Sequence, residues 1–89
     1  MRKVALYPIL EKEGYFYLNV PKGAQPVDLH EGEEGLKVAL LVNDNASLEN
    51  KKFLITEEDQ VIEESPPAKL VSVGLFTRKN RVYFLFEVK

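Results

Sequence analysis

The chain contains no cysteine, no tryptophan and only one histidine. Without cysteine there is no disulfide, no thiolate nucleophile and no cysteine-ligated zinc or iron–sulfur centre, and nothing in the chain conflicts with a reducing compartment. The lone His30, beside Glu31 and near Asp28, reads as a solvated residue at a strand end rather than a metal ligand or general base. Ser47, Ser65 and Ser72 lie in no nucleophile-elbow pattern. Carboxylates are abundant at Glu57, Glu58, Asp59, Glu63 and Glu64, but their spacing is not that of an EF-hand loop, and they read as a charged loop. The sequence therefore predicts a protein that is not an enzyme and uses no metal or cofactor.

Long apolar runs are missing too. None approaches the ~20 residues of a membrane-spanning helix. The opening "MRKVALYPIL" starts positive and turns apolar, but Pro8 and "EKE" cut the stretch to about six residues, short of the roughly 7 to 15 of a signal sequence. These features predict a soluble chain without membrane partners, placed in the cytoplasm. Also missing is any stretch that holds the 3.6-residue period of a helix for three turns.

What is present is alternation. With 89 residues, 45% of them hydrophobic and 29% charged, the chain has the composition of one ordinary folded domain spanning residues 1–89. A domain of this size buries roughly 60% of the surface its unfolded chain exposes, so its stability margin is thin, and association of two subunits would widen it. "KVALYPIL" (3–10) and "YFYLNV" (15–20) read as strands joined by the turn "EKEG" (11–14) into a hairpin. In the second, Phe16, Leu18 and Val20 form the core row, and Tyr15, Tyr17 and Asn19 the outward row.

"VPKGA" has a lysine next to a glycine, as a phosphate loop does. It has one glycine between two prolines that supply no amide, and a strand behind it rather than a helix, so it reads as a corner: Pro21 ends a strand, Gly23 reverses the chain and Pro26 leads into the next strand. "PVDLH" (26–30) and "LKVALLVN" (36–43) follow as strands around the acidic turn "EGEEG" (31–35). The second has apolar residues on both faces, which predicts a cover over its second face from an overlying element or another subunit. "DNASLEN" (44–50) reads as a loop, and "KKFLIT" (51–56) as a strand with Phe53 and Ile55 inward. "EEDQVIEESPPA" (57–68) is irregular, with Val61 and Ile62 as anchors and Pro66–Pro67 as a stiff exit. "KLVSVGLFT" (69–77), "RKN" (78–80) and "RVYFLFEVK" (81–89) form a hairpin whose last strand has an apolar row, Val82, Phe84, Phe86 and Val88, and a mixed row, Arg81, Tyr83, Leu85 and Glu87. The prediction is all-β: six or seven short antiparallel strands in a small sandwich or partly open barrel.

The net charge is −2, unevenly distributed: residues 28–64 carry eleven acids against three bases, and residues 68–89 five bases against one acid. Solvated acidic loops and a bipolar surface that steers a partner are both compatible with this division. Tyr15, Tyr17 and Tyr83 on non-core rows, with Arg78, Lys79 and Arg81 near the last turn, are the candidate binding residues. If the second and last strands were neighbours, rings and cations would form one platform. A subunit interface, a partner-protein surface and a nucleotide site all fit those residue types. The acidic pI speaks against binding duplex nucleic acid.

The order of these elements, with Val20, Pro21, Lys22, Gly23 and Ala24 at the corner, Gly74 in the last hairpin and Leu85, Phe86 and Glu87 near the end, resembles a family of small uncharacterised tailed-phage proteins with an "lPkGA" corner and a terminal hairpin ending near "lFE". The family's "TG" after the fifth strand is "TEEDQ" here, and its histidine before "lFE" is Phe84, so no role of those residues transfers. The resemblance implies a phage genome and no particular chemistry. It points to a small accessory protein that binds a host partner protein as an inhibitor or modulator, such as an anti-defence protein, and that assembles as a homo-oligomer. The alternative is a binder that sequesters a nucleotide or cyclic nucleotide signal.

Overall fold

Alternation of apolar and polar residues produces strands along nearly the whole chain. The computed structural model describes residues 1–63 and 68–89. Its strands are β1 (Arg2–Pro8), β2 (Gly14–Pro21), β3 (Gln25–Gly32), β4 (Gly35–Asn43), β5 (Leu48–Glu57), β6 (Leu70–Arg78) and β7 (Arg81–Val88). They form two antiparallel sheets, β1-β4-β3 and β2-β5-β7-β6, stacked as an open sandwich rather than a closed barrel. The all-β prediction therefore holds. β5 begins at Leu48, so the segment predicted as the loop 44–50 yields its last three residues to the strand.

The predicted hairpin of the first two strands does not form. β1 pairs with β4, and β2 pairs with β5 in the other sheet. Gly14 does adopt a positive φ of 114°, but the segment it ends carries the chain from one layer to the other instead of reversing it within a sheet. The local hairpins are β3–β4 and β6–β7.

The corner after β2 behaves as the prolines and glycine dictate. Gly23 has φ +83°, a conformation that costs a residue without Cβ little. All three amides of Lys22, Gly23 and Ala24 are used, donating to the Ser47 carbonyl (2.7 Å), the Glu49 carboxylate (2.9 Å) and the Pro21 carbonyl (3.1 Å). No amide is left to cradle a phosphate, and Pro21 and Ala24 are buried.

Between the sheets, Val20, Leu36, Val38, Leu40, Val42, Phe53, Ile55, Phe76 and Leu85 make the core. Phe16 stacks on Phe53 with ring centroids 5.5 Å apart, and Phe76 on Tyr83 at 5.3 Å. Pairing of Phe53 with Glu87 and of Ile55 with Leu85 fixes which row of β7 faces inward. It is the mixed row. Glu87 is 3% exposed and answered by Lys51, whose Nζ lies 2.5 Å from its Oε2. A carboxylate is tolerated at such depth only with a partner of this kind. Tyr83, predicted on a non-core face, consequently packs against the core.

On the outside of the three-stranded sheet, Ala39 is buried by its neighbours and Leu41 half-buried, while Val4, Leu6 and Val27 are exposed. The cover predicted over this face is supplied by no element among the described residues.

Candidate binding surface

With the mixed row of β7 turned inward, its apolar row lies on the outer face of the four-stranded sheet. The register sets Tyr17 beside Lys52, Leu54 between Tyr15 and Phe86, and Phe84 between Thr56 and Leu75. The face is apolar in its middle, aromatic at the β2 edge and aliphatic towards β6.

Part of it is covered by the chain itself. β5 and β6 both run antiparallel to β7 and so parallel to each other, and after β5 the chain makes its return with residues 60–63 beside Tyr15 and Leu54. Gln60, Val61, Ile62 and Glu63 border a recess of about 300 Å³ with Tyr15, Leu54 and Thr56. Gln60 fixes the start of this return, its Oε1 accepting the Glu57 amide at 3.1 Å and the Thr56 hydroxyl at 3.4 Å. This cover explains why Leu54, on an outer face, is only 5% exposed. Of the two predicted anchors Ile62 is half-buried, whereas Val61 points into solvent. The predicted Pro66–Pro67 exit lies outside the described residues.

Tyr15 is held twice. Its hydroxyl donates to the Glu63 carbonyl at 3.5 Å, and Lys52 Nζ stands 4.5 Å from its ring centroid. Tyr17 is 60% exposed and has no hydrogen-bond partner among the described residues, and Leu75 is 58% exposed. On the flank of β2, Pro8 at the end of β1 and Ile9, Leu10, Lys12 and Glu13 of the β1–β2 connection line an open cleft of about 480 Å³ together with Phe16, Leu18 and both tyrosines.

The six residues singled out from the sequence do not converge. Tyr15 and Tyr17 share the outer face, but β5 separates β2 from β7, and Tyr83 is turned inward. Arg78 is clasped between Glu11 and Glu31, stacks over the Phe76 ring at 5.3 Å and donates to the Thr77 carbonyl. Its hydrogen bond to Glu11 is the main cause that holds its guanidinium pKa above the usual value. Arg81 is paired with Glu57, and that hydrogen bond raises its pKa likewise. Lys79 lies in the β6–β7 turn with φ +53°. The basic end of the chain thus meets acids from its first two-thirds, and the division of charge along the sequence is partly cancelled in space.

Sequence reasoning passed over Lys52, Leu54, Phe84 and Leu75 as surface residues. The signal for Phe84 was present in the fully apolar alternate row of β7, but such a row is ordinarily the core row. His30 is exposed on β3 opposite Lys37, and among the described residues no three histidine or acidic side chains gather as a metal site. Among those residues no helix is long and apolar enough to cross a membrane. Compared with protein-family models, curated proteins and solved structures, the chain matches none of them.

Proposed function

We propose that this is a non-enzymatic accessory protein, phage-encoded as its resemblance implies, that acts in the host cytoplasm by binding a partner protein on the outer face of its four-stranded sheet. The observation that carries this reading is the presence of exposed Tyr17 and Leu75, with half-buried Phe84 and Phe86, on the outer face of the four-stranded sheet. A desolvated aromatic and aliphatic centre rimmed by charge is the anatomy of protein interfaces, and tyrosine is enriched among residues that dominate their energetics. The nucleotide reading is supported less, because Arg78 and Arg81, the guanidinium groups it would use for phosphate, already hold carboxylates.

Affinity capture from host lysate tests this with the wild-type chain and Leu75→Lys, which places a charge in the face without touching the core. A protein retained by the wild type and lost by a folded Leu75→Lys variant is the expected result. Equal retention by both overturns the assignment of the face. A melting temperature raised by several degrees by a mono- or cyclic nucleotide, with no retained protein, favours the nucleotide reading, since a ligand of the native state stabilises it by mass action.

A further inference from the structure

We infer that the outer edge of β2, which no strand among the described residues pairs with, is a self-association site, pairing antiparallel with β2 of a second copy of this chain. The sandwich has four edge strands, β1 and β3 in one sheet and β2 and β6 in the other. Edge strands carry unpaired amides and carbonyls, and proteins that stay monomeric protect them with bulges, prolines and charges. β3 is bulged between Pro26 and Asp28 and carries Asp28 and Glu31. β6 is bulged between Ser72 and Gly74 and ends in the clasped Arg78. β1 begins with Arg2 and Lys3 and ends at Pro8. β2, "GYFYLNVP", pairs in unbroken register from Gly14 to Pro21, has no charged residue and has its proline only at the end.

The strand is also complementary to itself. A two-fold axis perpendicular to the sheet keeps the outer row outward, so only residues of the same row come to face each other. A register centred on Tyr17 sets Tyr17 against Tyr17 of the second copy, Tyr15 against Asn19, and Phe16 against Leu18. Every facing pair is uncharged, with aromatic and aliphatic groups that pair well across strands. The register centred on Leu18 would set Pro21 opposite Tyr15 inside the ladder, where its missing amide breaks a hydrogen bond, so the Tyr17 register is favoured. The half-buried Phe16 and Leu18 stand at the open cleft beside Ile9 and Leu10, and the same row of a second copy continues the core there. Pairing produces an eight-stranded sheet and joins two outer faces into one. It does not depend on which partner that face takes.

Light scattering coupled to size exclusion, over a wide range of concentration, is expected to show twice the monomer mass. Tyr17→Lys and Tyr17→Glu, both at an exposed position, should each be monomeric. Mixing them should restore the dimer as a heterodimer, identified by native mass spectrometry. In the wild type, alternate β2 amides should exchange slowly when concentrated and fast when dilute, a readout that needs no variant. A wild-type monomer at every concentration, a dimer indifferent to both Tyr17 variants, or a dimer abolished by Leu6→Lys on the three-stranded sheet but not by Tyr17→Lys overturns the inference. Each of these readouts is a mass or an exchange rate, so failure here is separate from failure to capture a partner.

Discussion

The two flanks of the sandwich treat their edge strands in opposite ways. On one, β3 and β6 come together: both are bulged, and a Cβ on Gly74 would stand 3.0 Å from the Leu29 Cβ, so glycine there allows the close approach. Arg78 ties β6 to Glu31 of β3 and to Glu11 of the β1–β2 connection, and Phe76 fills the interior behind it. On the other flank, β1 and β2 leave a cleft, with Leu10 and Tyr17 largely exposed. A flank that closes on itself has no need of a partner, whereas one that keeps a regular uncharged strand and half-covered core residues gains by acquiring one.

The contrast breaks first at Phe76. Phe76→Ala should lose about 3–5 kcal/mol in denaturant unfolding, because a large, 3%-exposed side chain on the closed flank leaves a cavity. Gly74→Ala should cost about 1–3 kcal/mol by overpacking against Leu29, and a neutral result would mean that the β3–β6 approach is looser than the geometry has it. Leu10→Ala, on the open flank, should change the unfolding free energy by no more than about 0.5 kcal/mol when measured on the monomeric Tyr17→Lys background. A larger loss there would show the cleft to be closed in solution and would remove the difference between the flanks.

Much of this architecture was legible in the residues. Period-2 rows in "YFYLNV", "LKVALLVN" and "KKFLIT" gave strands with Phe16, Leu18, Val20, Phe53 and Ile55 inward, as they are. The turn formers gave the last hairpin and the corner at Gly23. Partner choice was not legible. Nothing local tells β1 to leave β2 and pair with β4, because strand pairing depends on which rows bury most surface together across long separations. The same holds for β7. Judged alone, Val82, Phe84, Phe86 and Val88 are the better core row, yet Glu87 goes inward, where Lys51 on a neighbouring strand neutralises it. The candidate surface followed these errors: Tyr15 and Tyr17 lie on the outward row, as their alternation indicates, but Tyr83, Arg78 and Arg81 were assigned to a platform that required β2 and β7 to be adjacent.

By itself, the sequence determined that this chain is all-β, where most strands run, and which residues turn the chain, since those properties follow from backbone sterics and local alternation. Only the tertiary structure decided which strands share a sheet, which face of β7 is inside, which cations are already paired and which edge the described residues leave open. Those depend on burial and charge neutralisation between residues far apart in the chain.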